Sequence, residues 1–131
     1  MEVDATTNNI AIVDEFVTNE LEKHGADHKT VQQIKLVLEE VLVNVANYAY
    51  PEGNGTMQID VDIDNDTLTL VVSDAGIPFD PHNAPEPDIT LPIEQRRIGG
   101  LGIFLVQQIM DEMIYERVND RNVLTLRKKI A

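Results

Sequence analysis

The 131-residue chain contains no cysteine and no tryptophan. Disulfides and thiolate metal sites are therefore excluded, and the composition fits a reducing compartment, the cytoplasm being the expected one. Basic residues are scarce: ten Lys and Arg stand against 23 Asp and Glu, a formal net charge of −13. They gather only at Arg96-Arg97 and Arg127-Lys128-Lys129, too few for a nucleic-acid surface on so acidic a chain. The same acidity repels a free anion, so a phosphate-bearing ligand would need a cation and a locally positive backbone site. No apolar run is long enough to cross a membrane, so no membrane partner is expected. The N-terminus carries no basic segment followed by an apolar one, so no signal peptide is expected. There is no internal repeat and no low-complexity segment.

What remains is a length and composition suited to one domain, residues 1–131, with a single core. Residues 8–24 carry an apolar stripe at helical spacing (Ile10, Ile12, Val13, Phe16, Val17, Leu21), stopped by Gly25. Asp27 or His28 opens a second helix expected to run to about Tyr50, where Pro51 ends it. "MQIDVDID" (57–64) and "TLTLVVSD" (67–74) read as a hairpin across "DND". Residues 77–98 then hold five of the six prolines and little periodicity, which marks a functional loop or lid. An apolar helix is expected over 102–112, and a closing hairpin over 113–118 and 122–130. Helices first, then strands, with one helix inserted, predict an α+β chain: one α layer on one face of a mostly antiparallel sheet.

Three stretches carry candidate chemistry. In "LEEVLVNVANYAYP" (38–51) the apolar arc of the second helix is bordered by a strip of Gln33, Glu40, Asn44 and Asn47, while Glu39 points away. Glu40 and Asn44 sit one turn apart, so an acid and an amide can face one cavity. Asn44 has an oxygen for a hard cation such as Mg²⁺, and Glu40 can orient or deprotonate a hydroxyl or water. In "SDAGIPFDP" (73–81), Asp74 ends a strand where a carboxylate can accept from an exocyclic amine, and Gly76 admits close approach to the backbone. In "IGGLGIFLVQQIMD" (98–111), three of the seven glycines precede an apolar helix. That pattern suits a phosphate cradle or, equally, a hinge, and it matches neither the P-loop nor the dinucleotide fingerprint. Singly, the first two stretches have little specificity; their order along the chain adds to it. His24, His28 and His82 share no metal-ligand spacing and are read as non-catalytic.

Taken in order, E-x-x-x-N, D-x-G-x-P-F-D-P and G-G-L-G resemble the GHKL ATPase superfamily over nearly the whole chain. Within it, "PFDP" and "GGLGIFLVQQIMDEMIYER" look most like the anti-sigma-factor serine/threonine kinases. The resemblance implies a two-layer α/β sandwich, a mixed and mostly antiparallel sheet with three main helices on one face, and ATP bound under the 77–98 lid. It further implies Asn44 as the Mg²⁺ ligand, Glu40 as the catalytic base and Asp74 beside Gly76 as the adenine acceptor. Gly99, Gly100 and Gly102 would hold phosphate, with Asn47, Ile77 and Leu101 completing the nucleotide contacts. Arg97, or its neighbour Arg96, would reach the γ-phosphate, and Thr125 is the candidate adenine-side threonine. The implied partners are an anti-sigma-factor antagonist bearing the target serine or threonine, a sigma factor, or both, with a homodimer possible. Two departures stand out: Tyr48 replaces the His of the "H-A-Y" end of the first box, and the N-terminal strand is short or missing. The alternatives are a nucleotide-gated module that sequesters a regulator without transferring phosphate, and a histidine kinase catalytic domain. The second is disfavoured because the chain has no phosphoacceptor helix with a suitable His.

Overall fold

The computed structural model describes residues 1–51, 53–83 and 100–130. A strand β1 (Glu2–Asp4) leads through a 3₁₀ turn (Thr7–Asn9) into α1 (Ile10–Lys23) and α2 (His28–Asn44). A π-helical turn (Val45–Ala49) extends α2, and the hairpin β2 (Thr56–Asp64) and β3 (Thr67–Asp74) follows. A second 3₁₀ turn (Pro81–Asn83), α3 (Gly100–Ile109), β4 (Glu112–Val118) and β5 (Arg121–Lys129) complete the described chain. The five strands form one sheet in the order β1-β2-β3-β5-β4. Every pairing among the described residues is antiparallel, so the sheet is simpler than the mixed one expected.

Local chemistry sets the boundaries. Gly25, at φ +79°, takes the left-handed position after α1, and Ala26 N–H reaches back to the Leu21 carbonyl at 3.0 Å. Asp27 caps α2 by accepting from Thr30 N–H at 2.8 Å. Both hairpins turn on two residues that tolerate positive φ, Asn65-Asp66 and Asn119-Asp120, which matches the twist of the strands they join. The short N-terminal strand is present: β1 pairs with β2, Val3 standing opposite Met57. α3 begins at Gly100, two residues before the expected start, and β4 begins at Glu112, so the helix is placed earlier and ends sooner than its apolar pattern suggests. Residues 84–98 of the expected lid, with Arg96 and Arg97, and the adjoining Gly99 lie outside the described residues.

The helices cover one face of the sheet. Val13 and Val17 of α1, Ile34 and Leu38 of α2, and Val106 of α3 pack onto Ile59, Leu68, Leu70 and Leu126, all of them buried in one cluster. Burying such side chains contributes roughly 1.5–3 kcal/mol each.

One group works against this layer. Asp14 of α1 has a buried Oδ1 that finds no hydrogen-bond partner among the described residues. Burial, followed by the charge of Glu39 on α2, pushes its carboxyl from 3.8 up to about 6, against the pull of Lys35. The folded chain thus binds this proton more tightly than the unfolded chain. Stability falls as pH rises between 3.8 and about 6, and the penalty is fully present above that window. After allowance for partial exposure the penalty is roughly 1–2 kcal/mol. Asp14→Asn is therefore expected to raise the melting temperature at pH 7.5 by about 3 °C or more and to change it little near pH 4. Equal melting temperatures at pH 7.5 would contradict this account.

Candidate functional site

α2 and its π-helical extension place one wall of a pocket, the sheet places the floor, and α3 closes one side. Val41, Asn44, Val45 and Tyr48 come from the helix; Val72, Asp74, Tyr115, Asn122 and Leu124 come from the sheet; Ile103 comes from α3. Phe79 and Pro81, at the start of the proline-rich segment, stand at the rim. The pocket encloses about 470 Å³, its open mouth included.

Asn44 is the last residue of α2 and is only 7% exposed. Its Nδ2 is buried and unpartnered among the described residues. Leaving such a group unmet costs about 1–3 kcal/mol, so it marks a place where a ligand atom belongs. A half-turn of the amide exchanges nitrogen for oxygen at that point. One turn earlier, Glu40 does not line the pocket. Its carboxyl packs against the first turn of α3, where a Cβ added to Gly102 would stand 2.0 Å from Oε2. Burial first, and the charge of Glu39 second, hold the Glu40 carboxyl above the usual carboxylate range.

Asp74 ends β3 and is 5% exposed. Its Oδ1 accepts from Gly76 N–H and from Asn122 Nδ2, each at 2.9 Å. These two bonds fix the carboxylate, and among the described residues they leave Oδ2 to meet a donor in the pocket. Gly76 is required by space: a Cβ there would stand 2.2 Å from the Ala49 carbonyl oxygen.

Asn122 is the residue that sequence reasoning missed. Its Nδ2 donates to Asp74 and, at 2.7 Å, to the Ile77 carbonyl. Its Oδ1 accepts from Phe79 N–H at 3.2 Å and from the Tyr115 hydroxyl. All four of its hydrogen-bonding positions are thereby used, and the segment leaving β3 is tied to β4 and β5. The signal was the parity of β5: Asn122, Leu124 and Leu126 are buried on the helix-facing side. The same parity overturns Thr125 as an adenine-side residue, because it faces the other side of the sheet, between Val71 and Ile114.

The remaining sequence-predicted positions divide. Asn47 is exposed and outside the pocket lining. The π-helical turn advances fewer degrees per residue than the α-helix assumed for the wheel, so Asn47 leaves the Glu40–Asn44 strip and Tyr48 enters the pocket. Ile77 has a half-exposed side chain and acts through its backbone, donating to the Ala49 carbonyl at 2.9 Å. Gly100, Leu101 and Gly102 form the first turn of α3, while Gly99 and Arg97 are outside the described residues. No cluster of three His, Asp or Glu suited to a metal occurs among the described residues. A cation beside Asn44 would take most of its ligands from phosphate and water, the usual arrangement for Mg²⁺. Apolar walls, a fixed buried carboxylate and an orphaned amide together fit a flat, amine-bearing base at one end and a cation-bound phosphate at the other.

The family profile described as the histidine kinase-like ATPase domain matches residues 3–128. The chain belongs to this family. Two relatives are similar over most of its length. Serine-protein kinase RsbW of Halalkalibacterium halodurans is 31% identical over 117 residues, 86% of this chain and 72% of that one. Its namesake in Staphylococcus aureus strain MSSA476 is 29% identical over 119 residues, 86% of this chain and 75% of that one. Among solved structures, the histidine kinase domain from the Erythrobacter litoralis EL346 blue-light activated histidine kinase superposes with a TM-score of 0.56 at 17% identity. That match covers 95% of this chain and 60% of the solved one, and it bears on the fold alone. The antiparallel sheet under three helices is thus the family's α+β sandwich. Among the described residues, no helix is long and apolar enough to cross a membrane.

Proposed function

We propose that the chain is a cytoplasmic Mg-ATP-dependent serine/threonine protein kinase of the anti-sigma-factor type, phosphorylating an anti-sigma-factor antagonist, binding a sigma factor, or both. The observation that carries the reading is the orphaned Asn44 amide, buried in the same pocket as the Asp74 carboxylate. The names of the relatives supply the reaction class.

In this reading Asp74 accepts the exocyclic amine of the base, and Val72, Leu124 and Ile103 keep water from its faces. Asn44 turns its oxygen to the cation, and the first turn of α3 with Gly99, Gly100 and Gly102 receives phosphate at the positive end of the helix. Bound there, Mg-ATP supplies a transferable γ-phosphoryl group. Arg97 offsets charge on that group. Glu40 takes the proton from the attacking hydroxyl, and its raised carboxyl makes it a stronger base than an ordinary glutamate.

One observation favours a second reading. Glu40 packs against α3 and stays outside the pocket lining, as it would in a module that binds nucleotide to reshape a partner surface without transfer.

The first test is calorimetric titration of ATP into the protein with and without Mg²⁺. The wild type is expected to bind in a magnesium-dependent manner, and Asn44→Ala to weaken that binding by about tenfold or more. A wild type that binds ATP in neither condition would sink the nucleotide reading.

A further inference from the structure

Tyr50 lies outside the pocket lining, yet it touches both strand ends that frame the site. It leaves the π-helical turn at φ −125° and ψ 71°, out of the helical region, immediately before Pro51. Its hydroxyl donates to the Thr56 carbonyl at 2.6 Å and accepts from Ala75 N–H at 2.8 Å. Thr56 is the first residue of β2, and Ala75 is the residue between Asp74 and Gly76. The ring fills the space over Gly55, where a Cβ would stand 2.1 Å from the carbon that bears the hydroxyl. The preceding residue, Ala49, holds the same turn from its other end. Its carbonyl accepts from Ile77 N–H at 2.9 Å and lies directly over Gly76.

Two consecutive residues at the end of the α2 extension therefore grip Ala75 and Ile77, on either side of Gly76. Gly76 N–H in turn holds Asp74 Oδ1. The chain of contacts runs from the Tyr50 hydroxyl through Ala75 and Gly76 to the carboxylate. Loss of the hydroxyl would free one end of this turn while leaving the ring, the Gly55 contact and the Ala49–Ile77 bond in place.

We propose that Tyr50 is a positioning residue for base recognition, its hydroxyl orienting the Asp74 carboxylate toward an exocyclic amine through the Ala75–Gly76 turn. This rests on the nucleotide reading above and deepens it: the aromatic residue closing the first sequence box governs the selectivity of the second. The hydroxyl acts on the base end of the site. Affinity owed to the phosphates and the cation at Asn44 does not depend on it.

The test compares ATP with ITP, which has a carbonyl in place of the exocyclic amine, by calorimetry in the presence of Mg²⁺. Tyr50→Phe removes one oxygen and is expected to weaken ATP about tenfold while leaving ITP within about twofold, so the wild-type preference for ATP collapses. Asp27→Ala, which removes the α2 cap far from the pocket, serves as the comparison. It is expected to lower the melting temperature and leave the ATP preference unchanged. A Tyr50→Phe variant with wild-type preference, or one weakened equally for ATP and ITP, overturns the positioning role while the nucleotide reading stands. A wild type that binds neither nucleotide overturns both.

Discussion

Glu40→Gln is expected to lower phosphoryl transfer to the partner by about 10²–10⁴-fold while leaving the Mg-ATP affinity within about threefold. The separation follows from where Glu40 lies. It is half-buried, one turn before Asn44, and outside the pocket lining, so it contributes little to holding the nucleotide. Its carboxyl is raised by burial and by the charge of Glu39, so the folded chain binds that proton more tightly than the unfolded chain. At neutral pH the ionised group therefore opposes folding, and the neutral amide removes the opposition. The variant's melting temperature should equal or exceed that of the wild type at pH 7.5. The same shift moves the acidic limb of the rate profile above the range of an ordinary glutamate, with transfer rising as pH rises through it. Radiolabel transfer, calorimetry and melting curves read the three quantities independently. Undiminished transfer by Glu40→Gln would remove the carboxylate from the chemistry. A wild type that never transfers phosphate, yet still changes its partner affinity with ATP, would leave the nucleotide-gated module as the function.

The two ends of this site were legible for different reasons. Asn44 follows from the period of an ideal α-helix, which α2 obeys until that residue. Asp74 follows from its place at the end of a strand whose boundaries the alternation of "TLTLVVSD" defines. Beyond Asn44 the helical wheel fails, because the π-helical turn is held by contacts distant in sequence, Ala49 to Ile77 and Tyr50 to Ala75. Asn47 consequently leaves the strip on which the wheel put it, while Tyr48 lines the pocket. Strand parity is sufficient to locate Asn122, whereas Thr125, the candidate that the family resemblance offers, stands on the wrong face. The helix start at Gly100 was hidden by the glycines themselves, which weaken the helical pattern that they open. The contact of Glu40 with Gly102 joins two boxes that sequence reading treated separately, one for chemistry and one for phosphate.

Gly102→Ala is expected to lower transfer by about 10²-fold or more without unfolding the protein. A new Cβ would stand 2.0 Å from Glu40 Oε2 and 2.7 Å from Cδ, so the two cannot both remain in place. The contrast with Gly76 is instructive: there the obstructing atom is a backbone oxygen, 2.2 Å away, fixed by the π-helical turn. At Gly102 the obstruction is the far end of a flexible side chain, which can swing aside at modest cost. Replacing a glycine inside a helix by alanine returns up to about 1 kcal/mol, so stability should stay level or rise slightly. The loss falls on the position of the base. Glu40 and Gly102 should then behave as one unit: the double variant Glu40→Gln with Gly102→Ala transfers no more slowly than Glu40→Gln alone. If the two losses instead multiply, the loss at Gly102 falls on its phosphate contacts and not on the base, and the seating of Glu40 is a separate matter.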